Sequence, residues 1–273
     1  MSERRVVLVT GSTDGIGRAT ARALAAAGAK VILHGRSKPK VDAAIAKLTE
    51  ELPGAELEGV SFDLASPAGV RKGVEQILAR VPQLHVLVNN AGIFASERAV
   101  TPDGSELTFA VNHLGPFLLT ELLAERLEAS ATHVPSRVIN VSSIAHTRGR
   151  IHLEDLSLAA GWTGYAAYAQ SKLANVMHAL ELAERRDPAK LVAYALHPGV
   201  IGTKLLRQGF GPVQGASVET GAKTSIRLAG GESVDDPSGT YFNEGTPTPP
   251  SVAARDAAVR KNLWDASIKL AKL

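Results

Sequence analysis

The 273-residue sequence predicts an α/β fold, a doubly wound parallel sheet of about seven strands forming a single domain. Three observations predict it. Short runs rich in Val, Ile and Leu alternate with segments of helical apolar period along nearly the whole chain. The first run, residues 6–10 (Val-Val-Leu-Val-Thr), passes directly into a glycine-rich turn and then a helix-like stretch at 18–27. No repeat, low-complexity tract or shift in composition divides the chain.

Composition narrows the chemistry. Hydrophobic residues make up 45% and charged residues 21%, the balance of a protein with a sizeable core. The net charge of +3 is spread along the chain, so no basic block points to nucleic acid or a membrane surface. There is no cysteine, which excludes disulfides and thiolate chemistry. The eight histidines form no His-x-x-x-His pair, and no metal is expected. The first residues carry no signal-peptide core and no apolar stretch is read as spanning a bilayer, so a cytoplasmic location is the expectation.

Taken in order, residues 6–10 form a strand buried on both faces. Gly11-Ser12-Thr13-Asp14-Gly15-Ile16-Gly17 follows, and Gly28 closes the next helix. Strand, glycine turn and helix in this order point to a dinucleotide site of Rossmann type, the alternative being a tight βα turn that holds no ligand. The glycines let backbone approach a pyrophosphate at the positive end of the helix. A second strand at 30–34 ends in Gly35-Arg36-Ser37. An acidic residue about 20 positions past the turn would bind an adenosine ribose, but none stands at 34–37. Arg36 offers a guanidinium for a 2′-phosphate, which favours NADP(H) over NAD(H).

A helix at 38–52, a strand at 57–62 and a helix at 67–80 come next. Asp63-Leu64 closes that strand, where it could reach an adenine edge or where the Asp could cap the next helix. A strand at 84–88 ends in Asn89-Asn90-Ala91-Gly92, small enough for a cofactor to pass close. The apolar-periodic segment 104–127 holds Asn112 on an apolar face and Pro116 within the helix, where proline frees a carbonyl and kinks the axis. A strand at 136–141 ends in Ser142-Ser143, hydroxyls at the carboxyl end where ligands bind in such sheets.

A polar connection, 146–163, leads to a helix at 164–186. A strand at 190–196 and the turn His197-Pro198-Gly199-Val200-Ile201-Gly202-Thr203 follow. Residues 204–218 are glycine-rich and aperiodic, read as a mobile substrate lid. A helix at 219–228, a short strand at 239–242, a stiff Thr246–Pro250 connector and an amphipathic helix at 253–273 complete the chain.

The helix at 164–186 carries Tyr168 and Lys172 four residues apart, on one face. An ammonium near a phenol favours the phenolate, bringing its pKa toward the range useful for proton transfer at an alcohol or carbonyl. Tyr165 is a rival phenol but has Ala169 four residues on.

The joint set Thr10-Gly11-x-x-x-Gly15-Ile16-Gly17, Asn89-Asn90-Ala91-Gly92, Asn112, Ser142-Ser143, Tyr168-x-x-x-Lys172 and Pro198-Gly199 resembles the short-chain dehydrogenase/reductase family over nearly the whole chain. Residues 145–151, 168–175 and 194–200 resemble its retinol dehydrogenase-like branch. That resemblance implies an NADP(H)-dependent oxidoreductase interconverting lipophilic alcohols and their aldehydes or ketones. It implies Tyr168 as acid/base, Lys172 as the cation tuning it, Ser143 rather than Ser142 as stabiliser of the carbonyl oxygen, and Asn112 as holder of a water reaching Lys172. The cofactor would lie on Gly11, Ser12, Thr13, Gly15, Ile16, Gly17, Arg36, Asp63, Leu64, Asn90, Ala91, Gly92, Lys172, Pro198, Gly199, Val200 and Thr203. Relatives imply a homodimer or homotetramer. The competing readings are a non-catalytic NADP(H) sensor or scaffold, and an epimerase or dehydratase of the related extended family.

Overall fold

The structure is a computed structural model that describes residues 4–231 and 234–273. Its centre is an eight-stranded sheet ordered β3-β2-β1-β4-β5-β6-β7-β8. The strands are β1 (Val6–Val9), β2 (Lys30–Gly35), β3 (Leu57–Ser61), β4 (Val86–Asn89), β5 (Ser136–Val141), β6 (Leu191–His197), β7 (Tyr241–Asn243) and β8 (Thr246–Pro247). All pairings are parallel except β7 with β8.

Side-chain alternation divides the strands between two cores. Leu8, Ile32, Leu87, Val138 and Ala193 face one layer, with α3 (Pro67–Arg80), α5 (Gly115–Ala129), α6 (Gly164–Arg185) and α9 (Ala257–Ala271). Val7, Val9, Leu33, Val88, Ile139 and Tyr194 face the other, with α1 (Gly15–Ala26), α2 (Lys38–Glu51) and α8 (Val218–Gly230). Both faces are covered, so the central strands are apolar throughout rather than alternating, as their sequence predicts. The helix starts follow local chemistry. Thr163 accepts the Ala166 N–H at the head of α6, and Ser66 accepts the Gly69 N–H at the head of α3.

Three expectations change. The connector after β7 is not merely stiff: Thr246–Pro247 pairs antiparallel with Asn243 and Phe242, making the eighth strand. Residues 204–218 are not aperiodic throughout, because Lys204–Phe210 forms a short helix, α7, capped by the Thr203 hydroxyl. The glycines at 209, 211 and 215 mask that helix in the sequence. Leu107–Ala129, at 23 residues and mean hydropathy 1.3, has the length and composition of a spanning helix, but 78% of its most apolar window is buried in the protein.

That long helix is not uniform. α4 (Leu107–Phe109) passes into a π-helical turn, Ala110–Leu114, before α5 begins. The Gly115 N–H bonds back five residues to the Ala110 carbonyl. Pro116 has no N–H for the carbonyl of Asn112 and its ring would crowd it in an α-turn; the wider turn relieves both. Gly115 also lets the helix pass the loop after β3, since a Cβ there would meet the Leu64 carbonyl oxygen at 2.3 Å.

Candidate active site

The strand order reverses beside β1, and connections leaving β1 and β4 diverge to opposite faces. A crevice at their carboxyl ends is the consequence. It forms a cleft of about 900 Å³, running from Arg36 at one end to Tyr168 at the other.

The first half of the cleft is made of backbone. Gly11 and Gly15 adopt φ of 64° and 57°, the left-handed region that glycine tolerates. At Gly17 a Cβ would lie 2.3 Å from Asn90 Nδ2 and 2.4 Å from the Gly11 oxygen. The Asn90 amide donates to the Thr10 carbonyl at 2.8 Å, while Thr10 Oγ1 accepts the N–H groups of Asn90 and Ala91, each at 3.0 Å. The glycine turn and the β4 turn are thereby locked together. Asp14 caps α1, accepting the Gly15 N–H at 2.9 Å.

His34 completes this half. It is buried, with Nδ1 accepting the Gly11 N–H at 3.2 Å and Nε2 facing the Phe62 carbonyl at 3.1 Å. Burial holds its pKa down to about 4, so the ring is neutral and braces β1, β2 and β3 at one point. Ser12 is the exception among the expected cofactor residues: it does not line the cleft, and its hydroxyl is spent on the His34 backbone. The other expected cofactor residues all line it, Pro198, Gly199, Val200 and Thr203 from the opposite wall. Arg36 is exposed at the end of β2, and Ser37 heads α2 without a side-chain cap bond.

The second half is made of side chains. Ser142 and Ser143 separate cleanly: the Ser142 hydroxyl donates to the Lys172 carbonyl at 2.7 Å, while Ser143 lies beside the Tyr168 phenol. Lys172 Nζ donates to the Val141 carbonyl at 3.0 Å and sits 5.6 Å from the Tyr168 ring centroid. A Cβ on Gly92 would fall 3.3 Å from that ammonium and 3.4 Å from Asn112 Oδ1, so the glycine makes room for both.

Asn112 does not line the cleft. Both of its amide hydrogens and one lone pair of its oxygen are engaged: it accepts the Ile93 N–H at 2.8 Å and donates to the Ile93 carbonyl and to Ser171 Oγ, each at 3.0 Å.

The expected pKa relation is also different. Burial pushes Tyr168 up to about 12, against the Ser143 hydrogen bond, which lowers it. Burial brings Lys172 down to about 8. Desolvation, not the ammonium, sets the phenol here. Its cover is aromatic: Phe94 and Phe210 stand 5.5 and 5.9 Å from the Tyr168 ring, with Leu205 packed alongside. The Tyr165 ring stands edge-on to Phe210 at 6.2 Å. α7 thus lies over the phenol, and Lys204 at its head pairs with Asp14 across the cleft mouth at 2.6 Å.

Phe94, Phe210 and His34 were not among the predicted site residues. A phenylalanine after Asn-Asn-Ala-Gly-Ile reads as ordinary core, and a histidine inside a strand gives no periodic signal. Among the described residues no cluster of His, Asp or Glu is placed to hold a metal.

Fold and site together define a class: a doubly wound nucleotide-cleft protein with Ser, Tyr and Lys gathered at one end of the cleft. Residues 5–210 match the family described as short chain dehydrogenase. The chain is 38% identical to human retinol dehydrogenase 12 over 275 residues, covering 97% of this chain and 86% of that protein. A crystal structure from Mycobacterium Paratuberculosis superposes with a TM-score of 0.81 at 34% identity, covering 98% of this chain and 93% of that one. A gluconate 5-dehydrogenase from Burkholderia cenocepacia, solved with NADP and tartrate, gives 0.71 at 26%, covering 90% and 95%. The chain belongs to the short-chain dehydrogenase family and is retinol dehydrogenase-like within it.

Proposed function

We propose that the protein is an NADP(H)-dependent oxidoreductase that interconverts a lipophilic alcohol and its aldehyde or ketone. One observation carries the reading: Ser143, Tyr168 and Lys172 stand at one end of the same cleft whose other end is the glycine turn. The residues fit a dinucleotide. Gly11 and Gly17 leave no space for a Cβ against Ala91, Asn90 and the Gly11 carbonyl, which packs the turn tightly at the head of α1, where backbone N–H groups suit a diphosphate. Arg36 and the uncapped Ser37 at the head of α2 suit a 2′-phosphate. Among similar proteins, the Burkholderia structure holds NADP, and retinol dehydrogenases are named for a lipophilic alcohol.

When bound, the dinucleotide supplies the redox chemistry. The chain supplies the rest. Ser143 and Tyr168 donate hydrogen bonds to the substrate oxygen and stabilise negative charge as it develops there. Tyr168 passes its proton to that oxygen in reduction and takes it back in oxidation. Lys172, buried beside Gly92 and Asn112, holds a positive charge that favours the phenolate at the moment the proton leaves. Phe94, Leu205 and Phe210 exclude water and offer an apolar wall to the substrate.

The test is consumption of NADPH with a panel of apolar aldehydes. Tyr168→Phe is expected to lower kcat by about a hundredfold or more while leaving NADPH affinity intact. Turnover that survives this change would refute the assignment.

A further inference from the structure

Beyond Ser143, the turn Ile144–Arg148 holds a histidine whose two ring nitrogens are committed in opposite directions. His146 is 1% exposed. Its Nδ1 lies 2.8 Å from the Ser143 main-chain oxygen, which also accepts the His146 backbone N–H at 3.1 Å. A carbonyl oxygen only accepts, so Nδ1 carries the proton. Nε2 is then a bare lone pair, and it accepts the Ser251 backbone N–H at 3.3 Å. The two contacts demand the same neutral tautomer. The ring packs against Tyr241 of β7 at 4.7 Å.

The far side of this link is the segment leading to α9. Ser251 accepts the Ala254 N–H at 3.3 Å and so heads the short turn Ala253–Arg255. The near side is Ser143, whose backbone is extended, φ −158° and ψ 160°, and whose hydroxyl accepts the Ala145 N–H at 3.2 Å. Holding the Ser143 carbonyl fixes ψ at that residue and the path of the turn after it, and that turn carries the Ala145 N–H which the Ser143 hydroxyl accepts, so the clamp bears on the hydroxyl through this N–H.

We propose that His146 is a positioning residue for Ser143, clamping its carbonyl through Nδ1–H and anchoring the clamp on the C-terminal segment through Nε2. The catalytic part of this inference rests on the carbonyl-reducing reading above; the clamp itself does not. His146 does not line the cleft and both its nitrogens are taken by Ser143 and Ser251, so in this proposal it acts only through the serine.

Three substitutions separate the two hydrogen bonds. In His146→Asn the amide nitrogen falls near the position of Nδ1 and can donate to the Ser143 carbonyl. In His146→Gln the terminal amide reaches the position of Nε2 and can accept from Ser251 only. His146→Phe keeps the ring on Tyr241 and makes neither bond. With an apolar aldehyde and NADPH, H146F and H146Q are expected to lose kcat by about tenfold to a hundredfold, with NADPH affinity unchanged, while H146N recovers most of it. Amide hydrogen exchange across residues 143–148 should rank the proteins in the same order, with H146N protected and H146Q and H146F open. Thermal midpoints of all three provide the control. Equal recovery by H146N and H146Q, a kcat that follows the thermal midpoint across the set, or unchanged kcat in H146F would overturn the proposal. If H146F does not fold, the contrast between H146N and H146Q decides it. If the wild type turns over no carbonyl, the proposed function fails, and the exchange ranking still upholds or refutes the clamp.

Discussion

The two halves of the cleft are built by opposite means. The half at the ends of β1, β2 and β4 is shaped by backbone: glycines without room for a Cβ, Thr10 and Asn90 tying two turns together, His34 bracing a third strand. The half around Tyr168 is shaped by side chains brought from distant segments, with Phe94 from the β4 turn and Leu205 and Phe210 from α7. The first is tied together by hydrogen bonds from Thr10, Asn90 and His34. The second is an aromatic cover over a buried phenol, held at its edge by one exposed ion pair, Asp14 with Lys204.

That contrast can be broken at several points. The largest effect belongs to Gly17→Ala. Its new methyl would meet the Gly11 carbonyl, which is backbone and cannot step aside. The expected result is a loss of about 1–3 kcal/mol in stability together with loss of measurable dinucleotide binding, read by thermal melting and cofactor fluorescence titration. Retained binding would show the turn to be softer than its geometry.

Arg36→Ala should weaken NADPH by about 10- to 100-fold, the value of a charge-assisted contact, and leave NADH nearly unchanged. Equal losses for both would remove the 2′-phosphate role. A smaller effect is expected on the other half. Phe210→Ala should raise KM for an apolar carbonyl by roughly fivefold, about 1 kcal/mol of lost apolar contact, with the dissociation constant for NADPH unaffected. The smallest should come from Lys204→Ala, since an exposed pair contributes at most about 1 kcal/mol. NADPH release rates in this variant should lose part of their salt dependence, and identical salt slopes would show that the pair does not hold the mouth shut.

The same division explains what the sequence makes legible. Glycine turns, strand ends and helix starts are local, so Gly11, Gly15, Gly17 and Asn90 can be read from a dozen residues of context. Tyr168 and Lys172 are legible because four residues is one helical turn. Asn112 is visible as a polar residue on an apolar face, but the π-helical turn that turns its amide onto Ile93 is set by Pro116 and by tertiary packing, and no spacing announces it. Phe94 and Phe210 are 116 positions apart in sequence and meet only through the fold, at 5.4 Å. The phenol's pKa is likewise a property of its cover, which is why an argument from the neighbouring ammonium alone gives the wrong direction for this structure.

The two-residue strand β8 carries a consequence for how copies of the chain can meet. It runs against the direction of its neighbour and contains Pro247, with Pro249 and Pro250 just beyond. Proline offers no N–H, and so short a border presents almost no ladder to a newcomer. On this side the sheet ends in a border that gives a neighbouring strand little to pair with.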